Sequence, residues 1–203
     1  MLTVGNGRAE VERQLAGGQL ECPECGGRLR GWGHARAREI RLGDGTGRRV
    51  RPRRAICSGC GRTHVLLPAW MLARRADSVA VIGAALAGAA AGLGCRTIAV
   101  RAGRAAATVR GWLRRFAVRA EALRSAFTVL ACALDPDPLL PGPSGSAVAD
   151  AVTAIVAAAV AAARRWAGAA SALSPWELAS AVTCGLLLGP GAAVPMINTS
   201  CPW

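Results

Sequence analysis

Two pairs of cysteines are the residues whose types and spacing point most directly to chemistry. Cys22 and Cys25 form one C-x2-C pair, Cys57 and Cys60 form a second, and a glycine follows each pair. Such a turn presents two thiolates to one ion, and Zn²⁺ prefers four soft ligands in a tetrahedron. The two pairs therefore predict one closed four-thiolate site for Zn²⁺.

Other uses of these cysteines find less support. A thioredoxin-like redox site needs a strand–helix–strand context, which the surrounding sequence does not show. A disulfide pair conflicts with a reducing compartment. His64, four residues after Cys60, stays open as a replacement for one thiolate. The other cysteines are isolated and are interpreted as structural thiols: Cys95, Cys132, Cys184 and Cys201.

The segment between the pairs predicts a long hairpin. It holds 31 residues, with a glycine-rich turn at 43–47, whereas paired zinc knuckles are usually separated by about 15–20. The architecture this favours is a zinc ribbon, in which the metal replaces a core too small to form alone.

Ten arginines lie between the two pairs, opposed only by Glu39 and Asp44. Some could balance the negative zinc–thiolate centre, but the local excess is large and favours contact with phosphate. The candidate contacts on the ribbon are Arg49, Arg51, Arg53 and Arg54.

Charge is distributed unevenly along the 203 residues, whose net charge is +13. Residues 1–76 carry +9 and residues 77–134 carry +6, whereas residues 135–203 carry −2, and every basic residue is arginine. A GC-rich genome would enrich arginine along the whole chain, so codon bias accounts for part of the excess but does not alone explain why the positive charge is confined to the first two thirds. A polyanion such as DNA, bound by the first 134 residues, does.

A second motif follows a helix predicted from Asp77, as its N-cap, through Leu93. Residues 97–116 resemble a helix-turn-helix. Ala99 is the small residue at the crossing and Gly103 the turn, while Val109 and Trp112 form the buried face of the second helix. An ordinary helical hairpin in a bundle is the alternative.

The second helix of this motif offers few side chains that could contact base edges in double-stranded DNA. Residues 105–107, Arg110, Gly111 and Arg114 face the groove, so direct readout depends on two arginines. A further helix over 120–134 braces the motif. The candidate DNA contacts here are Arg104, Thr108, Arg110, Arg114 and Arg115, although Arg104 stands where an apolar residue is common.

Several runs carry a family resemblance: Cys22-Pro-Glu-Cys-Gly-Gly, Trp32-Gly-His-Ala-Arg, Arg51-Pro-Arg-Arg, Cys57 through Pro68, and Arg74-Arg-Ala-Asp77. Together they resemble uncharacterised zinc-ribbon plus helix-turn-helix proteins of high-GC actinobacteria. They are also similar to the N-terminal DNA-binding regions of some insertion-sequence transposases. The resemblance covers residues 10–134 and the end at 198–200. It implies DNA binding and an association with mobile elements, but no known activity.

The C-terminal third predicts a helical hairpin for self-association, which makes a homodimer an open alternative. Residues 135–146 read as a linker, Ser146 caps an alanine-rich helix to about Trp166, and Ser174 with Glu177 forms a capping box. That second helix ends near Gly189. The uncharged stretches 78–95 and 178–197 are rich in alanine and glycine or broken by proline, which disfavours a membrane span.

The sequence shows neither a catalytic motif nor a secretory signal. The acids beyond residue 134 are Asp135, Asp137, Asp150 and Glu177, and no strand pattern accompanies them as a metal-dependent nuclease core would require. We therefore expect no enzyme and infer no small-molecule substrate. Residues 1–20 contain no secretory signal pattern, which predicts a cytoplasmic protein.

The expected fold is mainly α with a small β zinc ribbon. Its predicted parts are an N-terminal helical lead (1–19), the ribbon (20–70), a helix-turn-helix domain (71–134), a linker (135–146), a C-terminal helical hairpin (147–190) and a tail (191–203). The function it suggests is a zinc-stapled DNA-binding protein, either a regulator or an accessory factor of a mobile element. The alternatives are a truncated transposase that lacks its nuclease core, and a membrane-associated protein with a ribbon head.

Overall fold

A computed structural model describes residues 1–140, 142–166 and 173–190. Within these residues, six α-helices accompany a small mixed sheet and a two-stranded hairpin. The strands are β1 Leu2–Val4, β2 Leu29–His34, β3 Arg38–Arg41, β4 Gly47–Val50, β5 Arg53–Cys57 and β6 Thr63–Pro68. The helices are α1 Arg8–Ala16, α2 Val79–Ala90, α3 Cys95–Ala102, α4 Ala106–Leu134, α5 Ala147–Arg165 and α6 Pro175–Val182.

The sheet has the strand order β1-β6-β5-β2, with β1 parallel to β6 and the other pairs antiparallel. One face packs on α1 around Val11, Leu15, Leu29 and Leu66, all buried. The prediction that residues 1–19 are only a helical lead is therefore wrong in part. Residues 2–4 form an edge strand because their apolar and β-branched side chains are all buried against the ribbon.

The predicted hairpin is present, but its tip forms a sheet of its own, which we call the β3–β4 arm. Arg41 pairs with Gly47 at the turn, where Asp44 accepts hydrogen bonds from the backbone and hydroxyl of Thr46. Ile40 anchors the arm, since it is fully buried against Leu67 and Met71. The arm thus stands beside the ribbon sheet and is held by an apolar contact.

The helices share one large core, to which α2, α3 and α4 contribute Ile82, Leu86, Ile98, Val109 and Phe116. The predicted buried positions of the second motif are thereby confirmed, because Ala99 and Trp112 are buried in the same core.

The start of α2 differs from the prediction. Ser78 is its N-cap and accepts a hydrogen bond from the backbone N–H of Val81. Asp77 is not the cap because both of its carboxylate oxygens accept from arginines, namely Arg104 and Arg41.

The helix α4 is continuous over 29 residues, so the separate bracing helix predicted from residue 120 is wrong. Its buried stripe continues from Phe116 through Leu123 to Phe127 without a helix-breaking residue. Along this stripe α4 packs on α5, whose Ala151, Ala158 and similar small side chains allow the two helices to approach closely.

The C-terminal helices complete this core, so the prediction of a separate hairpin is not what the described residues show. α5 packs on α4 and α2, and α6 packs on α2, α5 and β1. The predicted caps at Ser146 and Ser174–Glu177 are confirmed. The predicted tail at 191–203, with Cys201 and the 198–200 run, lies outside the described residues.

Length and hydropathy single out one described helix as able to cross a membrane, α5, with a mean hydropathy of 1.7. Of the two uncharged stretches in the sequence, the first holds the 12-residue α2 and the second overlaps the eight-residue α6. In α5, 44% of the apolar window is buried within the fold, and the core helix of a globular protein can be as long and as apolar as a membrane span. Its apolar character is thus weak support for a span.

Candidate metal centre and basic surfaces

The two cysteine pairs sit on turns that repeat the same backbone hydrogen bonds. The N–H of Cys22 donates to the carbonyl of Gly27, and the N–H of Gly26 donates to the carbonyl of Cys22. In the second turn, the corresponding bonds join Cys57 to Arg62 and Gly61 to Cys57. Gly26 and Gly61 adopt φ values of +70° and +72°, which favour glycine. The positive φ therefore explains why a glycine follows each cysteine pair.

The ribbon brings the four thiols together as predicted. The Sγ atoms of Cys22 and Cys60 are 3.8 Å apart, those of Cys25 and Cys57 are 3.4 Å apart, and all four lie within 4.8 Å of one another. Tetrahedral Zn–S bonds of about 2.3 Å require sulfur–sulfur distances of about 3.8 Å. The cluster can therefore hold a metal ion of this kind.

The surroundings of the thiols move the pKa values of Cys25 and Cys57 in opposite directions. Hydrogen bonds from the backbone N–H groups of Cys60 and Gly59 outweigh burial and lower the pKa of Cys57 to about 6. The backbone N–H of Gly27 lowers the pKa of Cys25, but the surrounding thiols and burial raise it to about 12. Crowded thiols cannot all ionise alone, whereas a bound dication favours four thiolates.

Among the described residues, the ligand atoms that converge are those of the four cysteines, and His64 is not one of them. The His64 ring is 2% exposed, with Nε2 3.4 Å from Cys22 Sγ and Nδ1 3.1 Å from the Met1 nitrogen. Burial, followed by the Met1 ammonium, lowers the pKa of His64. A neutral ring that accepts from Met1 at Nδ1 can donate from Nε2 to the sulfur of Cys22, which is how a neighbouring side chain orients a metal ligand.

The predicted DNA-contacting face of α4 is open to solvent at most positions. Arg110, Arg114 and Arg115 are exposed, while Thr108 and Gly111 are half-buried. The preceding turn is made by Gly103 in the left-handed conformation, with φ +60°. Arg110 and Arg114 lie on the side of α4 opposite its buried stripe, whereas Arg115 lies at the flank and donates to the carbonyl of Gly111.

Arg104 has a different environment from these three. Its side chain is only 10% exposed, and Nε donates to Asp77 at 2.5 Å. A second nitrogen donates to the carbonyl of Leu42 in the β3–β4 arm at 3.2 Å. Arg104 thus joins the turn of the second motif to the arm, and it is not among the DNA contacts that we propose.

The ribbon candidates divide in the same way. Arg49 and Arg51 are exposed. Arg53 is half-buried, forms an ion pair with Glu12 at 2.9 Å, and donates to the carbonyl of Gly33 at 2.7 Å. Arg54 donates to the hydroxyl of Thr63 at 3.0 Å. The first two are free to meet a phosphate, whereas the last two also hold strands together.

Acidic residues of the C-terminal third take part in local structure. Asp135 pairs with Arg164 at 2.9 Å, and Asp150 accepts from Ser144 at 2.7 Å. Glu177 completes the capping box of α6. Each of these three carboxylates has a structural partner, and the expectation of a protein without catalysis stays a prediction.

Two structural features beside the basic surfaces have no clear signal in the sequence. Asp77 is a junction between the ribbon and the helices, and Trp70 forms an aromatic wall beside Arg48, whose guanidinium lies 5.2 Å from the ring centroid. No local spacing connects these residues. The only signal for Trp70 is that of an isolated aromatic residue following the arginine-rich hairpin.

Fold and site together define a chain whose four-cysteine cluster can hold a metal and whose surface is rich in arginine. Residues 22–117 match the family described as Domain of unknown function (DUF6431). The match covers a little under half of the chain, from the first cysteine of the cluster into the first half of α4. Neither the curated proteins nor the solved structures include a match to this chain.

Proposed function

We propose that this is a zinc-stapled protein that binds double-stranded DNA in the cytoplasm, as a regulator or an accessory factor of a mobile element. Zinc is the metal proposed for the four-cysteine cluster, since four thiolates in a tetrahedral cluster suit it best. The link to mobile elements depends on the sequence resemblance alone. Binding, without a catalytic step, is the activity proposed.

The observation that carries DNA binding is the exposed arginine face of α4. Ile98, Val109 and Trp112 are buried among α2, α3 and α4, so the opposite side of α4 is presented to solvent. Arg110 and Arg114 lie on that side one turn apart, a rise of about 6 Å. Such a spacing lets two arginines reach neighbouring base pairs in a major groove.

The β3–β4 arm supplies a second basic surface, joined to the turn that precedes α4. Arg104 makes this connection through the carbonyl of Leu42. Arg49 lies on the arm, Arg51 follows it directly, and both are exposed. We assign these two arginines to phosphates, which position a protein on DNA but carry no sequence information.

The two surfaces predict different losses when mutated. Arg114→Ala should relax specificity at one base position, at a cost on the order of 1–3 kcal/mol. Arg49→Ala with Arg51→Ala should weaken all sequences alike and flatten the salt dependence by about 0.9 for each phosphate that is no longer neutralised. The measurement is fluorescence anisotropy of each variant on a selected site and on random duplex, over a salt series.

Arg165→Ala is the matched control, since Arg165 is exposed near the end of α5, away from both surfaces. It should bind like the wild type. An equal loss on both duplexes for Arg114→Ala would show that α4 is not a recognition helix and favour an ordinary helical bundle. No change in any variant would exclude DNA as the partner.

A further inference from the structure

A cleft of about 780 Å³ opens between α1 and the β3–β4 arm. Its floor is apolar and comes from the ribbon sheet and from α1, through Val4, Val11, Leu66 and Pro68. Nothing in the proposed duplex binding uses this floor. Volumes of several hundred cubic ångströms are typical of cavities that enclose a small ligand.

The rim of the cleft is strongly basic. Glu12 is the carboxylate among the lining residues of the described chain, and it is paired with Arg53. Burial, then Arg53, Arg51 and Arg8, lower the pKa of the half-buried His34 at the edge, so positive charge is concentrated here. Besides Arg53, the rim arginines are Arg8, Arg36, Arg48, Arg49 and Arg51.

The aromatic wall of the cleft is held in place from two sides. The backbone N–H of Trp70 donates to Asn6 Oδ1 at 3.3 Å, and its carbonyl accepts from the N–H of Val79 at 2.9 Å. Asn6 in turn donates to Glu177 of α6 at 2.7 Å. The backbone of Trp70 is thus fixed between the ribbon and the helices, and the guanidinium of Arg48 lies over its ring.

We propose that this cleft holds unpaired nucleotides of a DNA strand, with a base against the stacked Arg48–Trp70 pair and phosphates on the other rim arginines. Proteins that bind single strands combine a positively charged groove with aromatic side chains on which bases stack. A simple polyanion surface needs neither an apolar floor nor an indole in its wall.

This inference rests on the proposed function, because it takes DNA as the polyanion. It adds a distinct substrate for the cleft, namely an unpaired segment next to a duplex. The test therefore uses three labelled probes: a blunt duplex, the same duplex with a single-stranded overhang, and a short oligo-dT. Affinities are measured by fluorescence anisotropy with zinc-loaded, full-length protein.

Trp70→Leu should lower affinity for the overhang duplex and for oligo-dT about tenfold, since base–aromatic stacking contributes about 1–3 kcal/mol. Affinity for the blunt duplex should stay within about twofold of wild type. Trp70→Phe, which keeps an aromatic ring, should retain most of the binding. Trp32→Leu is the matched control, because Trp32 is 55% exposed and does not line the cleft.

A second pair of substitutions keeps the test valid if Trp70→Leu does not fold. Arg8→Gln with Arg36→Gln removes exposed rim charge outside the phosphate contacts proposed for duplex binding. This variant should also lose overhang and oligo-dT binding selectively.

Two results overturn the inference: an overhang that adds no affinity to the wild type, or cleft variants that weaken blunt and overhang duplexes equally. In either case duplex binding by α4 survives. A failure of the proposed function itself looks different, because the wild type then binds no blunt duplex and Arg114→Ala changes nothing.

Discussion

The junction at Asp77 offers a sharp test of how the ribbon is joined to the helices. The Asp77 side chain is 4% exposed and pairs with two arginines of unequal burial. Arg104, 10% exposed, lies 2.5 Å from one carboxylate oxygen, and Arg41, 49% exposed, lies 2.9 Å from the other. The stability contributions of a buried and an exposed ion pair can therefore be compared at one carboxylate.

Removing Asp77 leaves the buried guanidinium of Arg104 without its anion. Breaking a buried ion pair in this way costs about 3–5 kcal/mol. Arg104 keeps hydrogen bonds to the carbonyls of Leu42 and Gly103, so we expect the lower end, about 3 kcal/mol, for Asp77→Ala. The exposed pair is worth about 1 kcal/mol or less, which is the expected cost of Arg41→Ala.

The assay is urea unfolding of the zinc-loaded protein, read as a shift in midpoint at constant slope. Asp137→Ala is the matched control, because Asp137 is exposed and should change the free energy of unfolding by less than about 0.5 kcal/mol. Ser78 still caps α2 in Asp77→Ala, so loss of the helix start is not part of the effect. Equal costs for Arg41→Ala and Arg104→Ala, or a cost below about 1 kcal/mol for Asp77→Ala, would refute the reasoning.

Two further substitutions probe positions where glycine is required for different reasons. A Cβ on Gly83 would lie 2.2 Å from the ring of Trp176 on α6, so Gly83→Ala should destabilise by about 1–3 kcal/mol in urea unfolding. Adding Trp176→Leu should recover part of that loss, and full additivity of the two changes would count against the contact. Gly61 has a φ of +72°, so Gly61→Ala strains the backbone beside the cluster and should weaken zinc retention in a chelator competition. Gly59 has no positive φ, so Gly59→Ala should retain zinc better. Equal retention by the two alanine variants would contradict this.

Local patterns in the sequence predict the parts of the site that local chemistry determines. Each cysteine pair lies within one turn, so its spacing specifies how its own two thiols are presented, and the hairpin between the pairs brings the two turns together. The buried face of α4 follows the helical period, which is why Val109 and Trp112 can be placed from the sequence.

The remaining features depend on partners distant in sequence. β1 is three residues long and pairs with Leu66 through Pro68, so its own composition gives only a weak signal. Asp77 has the chemistry of a helix cap, but two arginines take its oxygens, and the neighbouring Ser78 caps instead. The cleft has no sequence pattern because α1, the arm and Trp70 meet only in the folded chain.

The zinc content of the purified, full-length protein tests the central claim most directly, because the four-cysteine cluster closes the ribbon from which the β3–β4 arm and its arginines extend. Elemental analysis should find one zinc per chain in the wild type and in Cys132→Ser, whose thiol is exposed and lies outside the cluster. Cys57→Ser should lose the metal. Wild-type protein without zinc, or stoichiometric zinc in a variant with both Cys22→Ser and Cys25→Ser, would contradict the four-thiolate site.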